Sequence, residues 1–87
     1  MFIDIDDEHV IHSEDVISIL DIQLKKSSIK LKKLLRYKKE NNQLIGILRT
    51  SKSIIITDNI VYYSPLSTAT LKKRFSMTDI LNKLDHY

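Results

Sequence analysis

Cysteine is absent from this 87-residue chain, which excludes disulfides, thiolate nucleophiles and cysteine-held metal. With three histidines in total, a structural zinc site has too few ligands, and the composition suits a reducing cytoplasm. Glycine and proline occur once each, at Gly46 and Pro65, so no glycine-rich loop is present to cradle a phosphate. No apolar run approaches the ~20 residues that a membrane span requires. Lysine and arginine are missing before Lys25, and Asp4, Asp6, Asp7 and Glu8 stand where a signal peptide would need positive charge. These absences predict a soluble, unprocessed, cytoplasmic protein that does not engage a membrane.

The charge that is present is strongly polarised. Residues 1–24 carry seven acids (Asp4, Asp6, Asp7, Glu8, Glu14, Asp15 and Asp21) and a net of −7, whereas the remainder holds all 14 basic residues and four acids, a net of +10. Such a chain has one surface that attracts phosphate and another that repels it, or two surfaces that attract each other between copies. The length predicts a single domain, residues 1–87, with a modest core that self-association would supplement.

Phe2, Ile3 and Ile5 alternate with Asp4 and Asp6, Asp7 and Glu8 make a turn, and the pattern resumes over His9 to His12. After a second turn at Ser13–Asp15, the run from Val16 to Leu20 is too rich in β-branched residues to favour a helix. The reading is a meander of about three strands. His9 and His12, three apart on a strand, point to opposite faces and make a poor metal pair. Asp6 and Asp7 are adjacent acids in a polar turn, and no nucleophile–base pair accompanies them. No catalytic residue, metal ligand, cofactor or small-molecule substrate is assigned, and the chain is not read as an enzyme.

SSIKLKKLLRYKKENNQ, from Ser27 to Gln43, is the clearest helix: Ser27 or Ser28 caps it, Leu31, Leu34 and Leu35 share a face, Tyr37 flanks that face, and Asn41 or Asn42 ends it. Lys30, Lys33, Lys38 and Lys39 fall mostly outside the apolar stripe, and a solvated face is preferred to a phosphate-contacting one. Lys25 and Lys26 are left open between the two. Leu44–Leu48 returns to extended structure, with Gly46 marking a bulge or close backbone approach, and the turn RTSKS (Arg49–Ser53) follows. Ile54–Ile56 and Ile60–Tyr63 flank Asp58 and Asn59, residues that tolerate the positive φ of a tight hairpin. Pro65 stops the return strand, and Ser67 or Thr68 caps a helix bearing Leu71, Lys72, Lys73, Arg74 and Phe75. The C-terminal extension, Ser76–Tyr87, is read as helical from the spacing of Met77, Ile80, Leu81 and Leu84, with Thr78 as a candidate cap and a packing role.

YYSPLSTATLKKR (Tyr62–Arg74), behind an isoleucine-rich strand and far downstream of FIDIDDEHVIHSEDVISILDI (Phe2–Ile22), resembles the RemA family of bacterial extracellular matrix regulators over about residues 1–75. The resemblance implies a ring-shaped homo-oligomer that binds DNA and regulates matrix (biofilm) genes. It also implies DNA contact through a basic, arginine-containing turn, here RTSKS, matched in charge by Arg49 and Lys52. Thr50 stands where the family carries a second arginine, and Asp15 where it carries another DNA-contacting arginine, just before VISIL.

The architecture expected is α+β: a small, mostly antiparallel sheet with one main helix and one or two short C-terminal helices. Two functions remain open. One is an oligomeric transcriptional regulator binding double-stranded DNA through Arg49, Lys52, Lys72, Lys73 and Arg74; the other is a protein-interaction scaffold of the same fold that does not bind DNA.

Overall fold

A computed structural model describes the backbone of residues 1–85 and the side chains of residues 1–76. It is an α+β structure with two sheets. Strands β1 (Phe2–Asp4) and β2 (Val10–His12) pair antiparallel, Ile3 opposite Ile11, as a hairpin of their own. The four-stranded sheet has the order β3-β5-β6-β4, built from β3 (Val16–Asp21), β5 (Ser53–Thr57), β6 (Val61–Ser64) and β4 (Leu44–Ile45). Its pairs are antiparallel except β4 with β6, which run parallel. The N-terminal segment is therefore not one meander. The 3-10 turn Ser13–Asp15 redirects the chain, and β3 finds its partner in β5, where Ile19 meets Ile55 and Leu20 meets Ile54.

The period of two in a strand sorts the isoleucine run onto both faces of the sheet. Ile54 and Ile56, with Val61, Tyr63 and Leu20, face Leu31 and Leu35 of helix α2 (Ile29–Glu40). Ile55, with Ile19 and Tyr62, faces the opposite way, onto Ile5 and Ile11 of the hairpin segment and Leu71 of helix α3 (Thr68–Asp85). Ile54 and Ile55 are both fully buried, each stabilising the fold by about 1.5–3 kcal/mol through transfer from water. Burial on two faces is why this strand reads as an unbroken apolar run rather than an alternation.

The layering separates the charges in part, since Lys72, Lys73 and Arg74 at the start of α3 lie on the same side of the sheet as the acidic hairpin. The lysine-rich α2 covers one face of the sheet, while the acidic hairpin and the start of α3 cover the other.

Local capping follows the sequence closely in α2. The Ser28 hydroxyl accepts the Leu31 N–H at 3.1 Å, and the chain leaves the helix through Asn42 at φ 57°, a left-handed conformation that asparagine tolerates. A short helix α1 (Leu24–Ser27) precedes it, a feature the sequence pattern did not reveal. At the hairpin turn, neither Asp58 nor Asn59 has a positive φ. Instead the Thr57 side chain closes the turn, donating to the Ile60 carbonyl at 2.6 Å and accepting the Ile60 N–H at 3.2 Å.

Ser67 caps α3 by accepting the Thr70 N–H at 3.1 Å, and the helix then continues without a break to Asp85. The expected second helix is thus part of the first. Thr78 is an interior position rather than a cap, because no proline or glycine interrupts residues 68–85. The packing expected of Met77, Ile80, Leu81 and Leu84, and the position of His86, lie outside the described residues.

Candidate nucleic-acid interface

The RTSKS turn begins as the 3-10 turn Leu48–Thr50 and ends on β5. It is locked by its own side chains: the Ser51 hydroxyl donates to the Leu48 carbonyl at 2.9 Å, alongside the Ser51 N–H at 3.1 Å. The backbone of Lys52 is held on both sides, its N–H donating to the Ser64 carbonyl at 2.8 Å and its carbonyl accepting the Ile22 N–H at 3.0 Å. The side chains of Arg49 and Lys52 are exposed and form no ion pair with a described carboxylate. A rigid backbone thus presents two cations to solvent.

Asp15 lies at the other end of the sheet. Its neighbour Val16 pairs with Thr57, whereas Asp21, at the far end of the same strand, pairs with Ser53 next to Lys52. Six residues at ~3.3 Å each separate the two ends by roughly 16–20 Å. Beyond a screening length of about 10 Å in 0.1 M salt, Asp15 does little to the potential at the turn.

Lys72, Lys73 and Arg74, at the start of α3, do not join Arg49 and Lys52 in one patch. Lys72 borders a surface depression with Glu14, Val16 and Ile19, on the acidic side of the sheet. Arg74 donates to the Asp4 carbonyl at 2.8 Å and borders a second depression with Asp6, Asp7 and Glu8, so it ties α3 to β1. Lys73 is exposed between them.

The acids and histidines of the N-terminus serve local structure. Asp6 accepts the N–H groups of Glu8 at 2.7 Å and His9 at 2.6 Å, and its other oxygen meets His9 Nδ1 at 2.9 Å. Burial pushes its pKa up, but the donors from Glu8 and His9 outweigh that and hold it below the usual value. His12 Nδ1 lies 2.5 Å from Glu14, which also receives the N-terminal ammonium at 3.1 Å. The His12 hydrogen bond leads in lowering the Glu14 pKa to about 2. The two imidazoles therefore serve different carboxylates, His9 from just ahead of β2 and His12 from its last residue, and no group of three or more metal-capable side chains occurs among the described residues.

A second cationic site was not anticipated. Lys25, Lys32, Arg36 and Lys39 surround a cleft of about 530 Å³ between α2 and β4. The signal was in the sequence as the spacing 32, 36, 39, which falls on one side of a helix, but Lys25 joins it only because α1 folds back beside α2. Lys38, by contrast, is structural: its ammonium donates to the Asn59 carbonyl at 2.9 Å and holds the hairpin turn.

Sheet, capping helix and exposed basic turn define a small α+β domain with no membrane-crossing helix among its described residues. The chain belongs to the RemA-like family, described as extracellular matrix regulatory protein A-like, which it matches over residues 2–75. It is 37% identical over 75 residues to extracellular matrix regulatory protein B of Bacillus subtilis (strain 168), a match covering 85% of this chain and 89% of that protein.

Proposed function

We propose that this protein is a cytoplasmic, oligomeric, DNA-binding transcriptional regulator of extracellular matrix genes. The observation that carries the reading is the RTSKS turn, whose pinned backbone holds Arg49 and Lys52 exposed and without a partner among the described carboxylates. The matrix-regulator role follows from the family match and from the name of the B. subtilis relative. Two cations per subunit bind DNA weakly, so copies repeated around a ring supply the affinity by contacting successive phosphates. Self-association is supported by the separation of charge across the sheet and by exposed Phe2 and Val10 on the acidic hairpin, with Ile47 and Leu48 exposed beside the basic turn. Opposite charges on opposite faces suit a head-to-tail contact that closes into a ring.

Gel mobility shift at two salt concentrations tests the reading. Arg49→Ala with Lys52→Ala removes most duplex binding while circular dichroism and light scattering stay unchanged, and Lys30→Ala with Lys33→Ala has little effect. Asp15→Arg strengthens binding if that end of the sheet faces the duplex. No retention of the parent protein, or undiminished binding by the double turn variant at low salt, sinks the proposal. The scaffold alternative is favoured by one observation: Asp15 is exposed beside the Asp58 turn, an edge that repels phosphate. In that case light scattering shows the oligomer and DNA leaves it unchanged.

A further inference from the structure

The cleft between α2 and β4 combines two chemistries. Its rim is cationic: Lys32, Arg36 and Lys39 follow one another along α2, Lys25 faces them from α1, and no acid among the described residues lines the space. None of the four is ion-paired to a described carboxylate. Like charges four apart on a helix repel, so this arrangement lowers stability unless an anion occupies it. Its floor is apolar, formed by Leu35, Leu44, Leu48 and the ring of Tyr63. Tyr63 is 6% exposed, and the Lys25 ammonium stands 5.9 Å from its ring centroid. Lysines on a merely solvated helix fan outward over a convex surface; these converge over a concave one.

We infer that this cleft binds a nucleotide-sized organic phosphate, with the phosphates on Lys32, Arg36, Lys39 and Lys25 and the organic part against Leu44, Leu48 and Tyr63. The volume, about 530 Å³, falls within the ~300–1,000 Å³ of small-molecule sites. The guanidinium of Arg36 suits phosphate, because its planar fork donates two parallel hydrogen bonds. Duplex DNA fits less well: its backbone would meet the cationic rim, while its stacked bases could not cover the floor. The cleft adjoins the RTSKS turn at Leu48 but uses four other cations, so binding there is tested apart from DNA binding by Arg49 and Lys52.

Isothermal titration of the full chain with each of the four ribonucleoside triphosphates, with pyrophosphate and with adenosine tests the assignment. At least one triphosphate binds with a Kd below about 100 μM at low salt, pyrophosphate binds more weakly, and adenosine more weakly still. Arg36→Gln and Lys32→Gln each weaken the triphosphate roughly tenfold, since a charge-assisted contact is lost, whereas Lys30→Gln and Lys33→Gln change it by no more than about twofold. All four positions are exposed, and circular dichroism verifies that the variants fold. Three results overturn the inference: no triphosphate binds below the millimolar range, pyrophosphate binds as tightly as the best triphosphate, or the Lys30 and Lys33 variants lose as much affinity as the cleft variants. Duplex binding that falls as far as triphosphate binding in Arg36→Gln also overturns it, by making the cleft part of a DNA surface.

Discussion

The Ser64 hydroxyl donates a hydrogen bond to the Ile5 carbonyl at 2.5 Å, joining two residues 59 positions apart inside the core. The same oxygen accepts the Leu66 N–H at 3.1 Å, and the Leu66 carbonyl accepts the hydroxyl of Ser53 at 2.6 Å. Ser53 and Ser64 are cross-strand partners and both fully buried. These two serines thus fasten the SPLS turn and the N-terminal segment to the sheet. Ser64→Ala leaves the Ile5 carbonyl and the Leu66 N–H without this partner, and should destabilise the protein by about 1–3 kcal/mol. Urea denaturation measures it, and a loss within experimental error refutes the role assigned to the hydroxyl.

Gly46 sits at φ 110°, and a Cβ added there would meet the Tyr63 carbonyl oxygen at 2.4 Å. The obstacle is strand backbone, so it has little room to yield. Gly46→Ala should cost about 1–3 kcal/mol from the backbone conformation alone, with the contact adding to it. Thermal unfolding gives the value. The displaced β4 should also disturb the neighbouring cleft, visible in Tyr63 near-ultraviolet dichroism.

Arg74 was read from the sequence as a phosphate contact, yet its guanidinium reaches the Asp4 carbonyl across 70 positions. Arg74→Ala should therefore lower stability by about 1 kcal/mol. Its effect on duplex binding, measured by mobility shift, should be far smaller than that of the Arg49 and Lys52 pair. The opposite ranking would make α3 the DNA surface.

Glu14 is ionised down to unusually low pH, its pKa lying near 2 against 4.5 for the free side chain. A depressed carboxylate adds stability above the unfolded pKa and loses it as pH falls through the folded one. The contribution is therefore present above pH 4.5 and disappears between 4.5 and about 2. Because the group is exposed, the effect is small. Carbon-detected NMR titration should place the Glu14 midpoint well below 4.5, and His12→Ala should move it up towards that value.

The strands and the α2 cap were legible because each rests on near neighbours in the chain. Ser28 needs only the Leu31 N–H, and the isoleucines of β5 are β-branched wherever they lie. Arg49 and Lys52 were legible as an exposed basic turn for the same reason. The hairpin turn was read through the wrong residues, since Thr57 closes it with a hydroxyl that no turn pattern at Asp58 and Asn59 disclosed. The short final helices became one because nothing in the local sequence stops α3.

By itself, then, the sequence determined the element types, the polarised charge and the exposed basic turn, all properties of short windows of chain. Tertiary structure alone decided that the isoleucine run is buried on two faces, with the basic helix on one and the acidic hairpin on the other. It also decided that Arg74 is tied to β1, that Asp15 lies a strand's length from Lys52, and that Lys25 completes a cleft with Lys32, Arg36 and Lys39. Which distant residues meet depends on strand pairing and layer packing: β3 pairs with β5 rather than with the nearer β2, and the layers on the two sides of the sheet bury Ile54 on one and Ile55 on the other.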